Sequence, residues 1–113
     1  MRINYDFLDF EAFLAVKETG SFHLASERLN LSQYSVTRRV QKLEGALGSV
    51  LFDRTTREVR PTLAAKRLQQ RAEAILLDAC ETTLAMRGES PAYTHQRAQT
   101  EVVLLFRTVL RLG

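Results

Sequence analysis

Apolar residues recur along the first half of this chain at steps of three and four, the spacing of helices with one buried side. Phe7, Phe10, Phe13 and Leu14, with Lys17, follow that rule, and Gly20 stands where a helix C-cap favours glycine, so a first helix is expected over residues 7–19. Ser21 can cap a second helix of roughly two turns, in which Phe22, Ala25 and Leu29 share a side and Asn30 follows where a left-handed residue ends it. Ser32 offers its hydroxyl to a third helix, whose Val36, Val40, Leu43 and Leu47 lie at steps of four, three and four before Gly48.

The pattern then changes. Leu51-Phe52-Asp53-Arg54 and Glu58-Val59-Arg60 read as two short strands around Thr55, Thr56 and Arg57. Thr62 can cap a fourth helix, and no Gly or Pro follows until Gly88, so about 25 residues can be continuously helical. Its Leu68, Ala72, Ile75, Ala79 and Met86 make one stripe, with Leu77 and Leu84 on a neighbouring face, wider than packing on a small domain requires. A partner helix is implied. Gly88-Glu89-Ser90-Pro91 interrupts the pattern, and Val102, Leu105, Phe106, Val109 and Leu110 suggest a last helix over residues 94–112. The expected fold class is mainly α, with the chain divided into 1–61, a long helix at 62–87 and a divergent tail at 88–113.

Composition adds the charge distribution. With 113 residues, 45% apolar and 26% charged, the chain suits one compact domain with an appendage rather than a disordered segment. Its net charge of +3 hides an asymmetry: residues 28–72 hold ten Lys or Arg against three Asp or Glu, whereas residues 1–27 hold two against five. A basic block confined to one structural unit is the footprint expected for phosphate contacts.

Several classes are disfavoured. Cys80 is the single cysteine, so neither an internal disulfide nor a thiol set for zinc is available. Asp6, Asp9 and Glu11 deprive the N-terminus of the order of a signal peptide, and Val102 to Phe106 is far shorter than the roughly 20 residues of a membrane span; a cytoplasmic protein is expected. His23 and His95 are scattered, and no Gly-rich phosphate loop is present, so neither an enzyme, a metal site nor a cofactor is expected.

The third helix carries the candidate chemistry. Opposite its apolar stripe stand Gln33, Tyr34, Thr37, Arg38 and Gln41, with Arg39 and Lys42 nearby to reach phosphates. The DNA major groove admits one helix; there Gln reads adenine, Arg reads guanine, and Thr serves either. Two short helices around a tight turn, followed by a hairpin with arginines, form the layout of a winged helix-turn-helix.

The sequence resembles the DNA-binding region of the LysR-type transcriptional regulators. The resemblance rests on Phe13-Leu14-Ala15-Val16, Glu18-Thr19-Gly20-Ser21-Phe22, Ala25, Glu27-Arg28-Leu29, Leu31-Ser32-Gln33, Val36-Thr37-Arg38, Leu43-Glu44, Leu47-Gly48, Leu51-Phe52, Arg54-Thr55-Thr56-Arg57 and Thr62. It implies a bacterial regulator in which Ser32, Gln33, Thr37 and Arg38 sit at the groove and Arg54 and Arg57 touch the minor groove or backbone. The helix after Thr62 would then be the linker through which two subunits pair, with Leu68, Ala72, Ile75 and Ala79 as the seam. Tyr34, Pro61 and Ala65 depart from the family pattern, and Gly45 should cost the third helix about 1 kcal/mol relative to Ala. Residues 93–113 do not resemble the start of the family's small-molecule effector domain, so ligand sensing is not expected of this chain. A rival reading is a truncated interaction protein that pairs with full-length relatives and interferes with them. The complete polar face of the third helix favours DNA binding.

Overall fold

The computed structural model describes residues 1–55 and 58–88. Arg57 and the helix expected over 94–112 lie outside the described residues. Within them the chain forms α1 (Phe7–Thr19), α2 (Phe22–Leu29), α3 (Gln33–Leu47), β1 (Phe52–Thr55), β2 (Glu58–Pro61) and α4 (Leu63–Met86).

Short side chains set the helix boundaries. Ser21, Ser32 and Thr62 each accept from the backbone N–H three residues on, at 3.1, 3.0 and 3.2 Å, satisfying an amide that the helix leaves free. Asn30 (φ +54°) and Gly48 (φ +66°) take the left-handed conformation that closes α2 and α3. At the start of α1, Asp6 and Asp9 form a reciprocal capping box, each carboxylate accepting the other's backbone N–H at 3.0 Å.

α1 lies at the centre of the fold, with α2, α3 and α4 packed around it. It therefore buries Phe10 and every residue from Ala12 to Val16, a nearly all-round burial rather than one stripe. Phe7, expected on the apolar side, is exposed because it precedes the part of the helix that its neighbours cover. Phe13, Val16, Val36, Val40, Leu43 and Leu51 form the fully enclosed core. Phe52 closes it from the hairpin, with ring centroids 5.7 Å from Phe13 and 6.0 Å from Phe22.

The two strands pair antiparallel, with Phe52 opposite Pro61 and Thr55 opposite Glu58. Leu51, expected within the first strand, instead drops into the core just before it and donates its N–H to Glu44 Oε2 at 2.8 Å. Pro61 ends β2 at a position where a missing N–H costs the ladder little.

α4 divides the stripe expected from its sequence. Ala65, Ala72 and Leu76 are buried against the chain's own core and Leu68 is partly so, whereas Ile75 remains 39% exposed and Met86 is exposed. Ala72, expected at a subunit seam, has no exposure and packs within its own subunit, so it offers no surface to a partner.

Candidate nucleic-acid interface

Val36, Val40 and Leu43 have zero exposure and pin α3 to the core, which fixes the opposite side in direction. Tyr34, Arg38, Gln41 and Gly45 follow one another at steps of four, three and four along that outer side. Tyr34 is 73% exposed, Arg38 and Gln41 are exposed, and Gln33 stands exposed at the first turn. Tyr34, Ser35, Arg38, Arg39, Gln41 and Lys42 line one open hollow together with Asp6. Among the described residues, the side chains of Gln33, Tyr34, Thr37, Arg38 and Gln41 have no hydrogen-bond or ion-pair partner, so their polar atoms are free for an incoming ligand. Ser32 is committed to capping: its hydroxyl accepts from the Ser35 N–H and donates to the Ser35 hydroxyl at 2.9 Å.

The expected phosphate-reaching cations are placed differently. Arg39 Nη1 donates to Asp9 Oδ1 at 2.9 Å and to Asp6 Oδ1 at 3.2 Å. Lys42 Nζ lies 3.1 Å from Asp9 Oδ2 and 3.6 Å from Asp6 Oδ2. Both side chains thus run back along the flank of α3 to the start of α1. Burial pushes the Asp6 carboxyl up, but the Asp9 amide and the charges of Lys42 and Arg39 outweigh it and hold the group below its ordinary 3.8. The hydrogen bond that Lys42 donates to Asp9 and the charges of both carboxylates raise Lys42 above its usual value.

Arg54 is also held. Its guanidinium carbon lies 4.5 Å from the Phe22 ring centroid, over the ring, and Nη2 is 3.7 Å from Glu44 Oε1. The other Glu44 oxygen accepts from Leu51, so this carboxylate ties α3 to the base of the hairpin on two sides. Arg54 lines a separate shallow hollow with Glu44, Gly45, Gly48, Ser49, Val50 and Phe52, apart from that of Tyr34 and Arg38.

Asp6, Asp9, Glu44 and Phe22 are the residues whose roles sequence reasoning missed. The Asp6-x-x-Asp9 spacing could have signalled the capping box. Nothing local announces that a fully buried Asp9 serves cations some thirty residues away.

The sequence and the fold resemble those of known proteins. Residues 7–66 match the model of the bacterial regulatory helix-turn-helix protein, lysR family. An uncharacterised HTH-type transcriptional regulator from the ibpB-leuC intergenic region of Azotobacter vinelandii is 51% identical over 71 residues, covering 63% of this chain and 49% of that protein. YfeR of Shigella flexneri, another uncharacterised HTH-type transcriptional regulator, is 42% identical over 86 residues, covering 76% of this chain and 28% of its own length. The chain thus spans about half of the first relative and little more than a quarter of the second. Among solved structures, the CbnR DNA-binding domain in complex with DNA superposes with a TM-score of 0.71 at 34% identity, covering 76% of this chain and 99% of that one. The BenM DNA-binding domain bound to benA site 1 DNA gives 0.69 at 26% identity, covering 78% and 99%.

Proposed function

Because this chain belongs to the lysR family of bacterial regulatory helix-turn-helix proteins, we propose that it binds duplex DNA sequence-specifically as a transcriptional regulator, with α3 in the major groove. The observation that carries this reading is the outer side of α3: Tyr34, Arg38 and Gln41 project from a helix pinned by three fully buried residues, and their polar atoms are unspent. The CbnR and BenM domains that the fold resembles were crystallised with DNA, which supports the same use of this helix here. Arg38 and Gln41, with Gln33 and Thr37 at the entering end, read base edges, and Tyr34 adds an aromatic contact where thymine methyls line the groove. Ser32 holds the entering turn. The hairpin reaches the adjacent backbone or minor groove.

Pairing of two subunits through α4 completes the reading. Leu68, Ile75 and Ala79 retain exposed or half-exposed apolar surface on that helix, and covering it with a second copy would present two recognition helices to one duplex. Supplying Ile75→Asp at that seam should separate the dimer in sedimentation while leaving the far-UV circular dichroism unchanged.

A fluorescence-anisotropy titration on labelled duplex across a range of salt concentrations tests the whole. Binding that weakens steeply with salt, and that Arg38→Ala weakens on preferred sites more than on random duplex, is the expected result. Absence of binding at low salt would overturn the reading.

A further inference from the structure

The ten cations of residues 28–72 are fewer in effect than in number. Arg28 pairs with Glu18, Arg54 with Glu44 and Arg60 with Glu58, while Arg39 and Lys42 share Asp6 and Asp9. The last group differs from the others in position, because Asp6 lines the same hollow as Tyr34, Arg38 and Gln41. A phosphate arriving beside α3 would meet a carboxylate already seated on the two donors it needs.

We propose that Asp6 is an internal competitor for DNA phosphate, occupying Lys42 and Arg39 at the edge of the recognition surface and so setting the affinity for duplex of any sequence below what those cations would otherwise give. The proposal rests on α3 being the DNA-facing helix. The two carboxylates divide the work. Asp9 is fully buried and bonded to Arg39 at 2.9 Å and Lys42 at 3.1 Å, so it anchors the flank of α3 and cannot withdraw. Asp6 is more than half exposed, its contact to Lys42 is the longer at 3.6 Å, and Lys42 is itself about half exposed. That outer contact is the one solvent or phosphate can replace. Non-specific binding is chiefly the exchange of counterions for phosphate contacts, so a fixed negative charge beside such a contact penalises every sequence.

Asp6→Asn is a clean probe, because Asn caps a helix as well as Asp and still accepts the Asp9 N–H. Anisotropy on a labelled random-sequence duplex should show the variant binding about three- to tenfold tighter than the wild type at low salt, with a log–log salt slope steeper by about one ion. Adding Lys42→Ala to Asp6→Asn should remove most of that gain. Circular dichroism melts of each variant check that the fold is kept. Unchanged or weaker binding by Asp6→Asn, while Lys42→Ala alone weakens binding, would overturn the proposal and leave the assignment of α3 standing. A gain that persists in full without Lys42 would also overturn it, assigning the effect to the overall field. Failure of the wild type to bind duplex at all would remove the assignment of α3 and the proposal with it.

Discussion

Arg38 and Arg39 are adjacent in the chain and are used in opposite ways. Arg38 projects from the outer side of α3 with its guanidinium unpaired among the described residues, whereas Arg39, one residue on, turns to the flank and bonds the carboxylates of Asp6 and Asp9. The outer side of α3 and its flanks therefore do different work with the same residue types. Tyr34, Arg38 and Gln41 on the outer side have no polar partner among the described residues; the flanking Arg39, Lys42 and Glu44 spend their polar atoms on the start of α1 and the hairpin. What separates them is the 100° advance of one helical step, which carries a side chain from solvent to the edge of a neighbouring helix.

That contrast can be broken most sharply at Asp9. Removing this buried carboxylate deletes half of the capping box and leaves Arg39 and Lys42 to the exposed Asp6 alone. Asp9→Ala should lower stability by about 2 to 3 kcal/mol in urea denaturation, near the lower end expected for breaking a buried ion pair because the cations can still turn to solvent. Arg38→Ala should do the reverse. Binding to a preferred site should weaken by about 1 to 3 kcal/mol in an anisotropy titration, with the urea midpoint unmoved. An Arg38 variant that unfolds, or an Asp9 variant of wild-type stability, would erase the distinction.

Arg54 sharpens the comparison on the other flank. Loss of its contact with Phe22 and of the half-screened pair with Glu44 should make Arg54→Ala about 1 kcal/mol less stable, read from the same denaturation curves. Gly45 lies in line with Tyr34, Arg38 and Gln41, and a Cβ there would meet nothing within 4 Å. Gly45→Ala should therefore stabilise α3 by up to about 1 kcal/mol.

The smallest effect concerns acid. A carboxyl held below its ordinary value contributes stability above about pH 4, where the unfolded chain is also ionised, and that contribution is lost as pH falls through the lower folded value. Asp6 behaves in this way, so Asp6→Asn should flatten the acid limb of the stability curve below pH 4. Glu11 has the opposite sign: burial, outweighing Arg39 and aided by Asp6, raises its value, so it costs stability once pH exceeds its unfolded value. Glu11→Gln should stabilise the protein at neutral pH and not at pH 3.

Local signals carried the helix boundaries. Ser21, Asn30, Ser32, Gly48 and Thr62 act on backbone groups within a few residues, and each sits at the boundary its chemistry implies. Val36, Val40 and Leu43 were legible for the same reason, since a helix on the surface of a small core buries one side, whereas Leu47, expected in the same stripe, is 36% exposed at the end of α3. α1 was legible as a helix but not in its burial, because three neighbours surround it and periodicity reports only one. The choice between Ile75 and Leu76 on α4 depends on the angle at which that helix meets α1, a tertiary quantity. The ties of Arg39 to Asp6 and of Arg54 to Phe22 each span about thirty residues of sequence, beyond any local pattern. The outer polar face could be read in advance; which of its cations were already spent could not.

Thr62 has a mechanical consequence. It caps α4 by accepting from Ala65, while its hydroxyl lies 2.7 Å from the Val50 carbonyl oxygen and its N–H donates to the Leu51 carbonyl at 3.0 Å. One residue thus clamps the root of a 24-residue helix to the strand-side edge of the core. A rod about 36 Å long set in such a joint works as a lever, with a tilt of a few degrees at the root displacing the far end by about 2 to 3 Å. Torque applied at that end would be delivered to the hairpin base and, through Leu51 and Glu44, to the heel of α3.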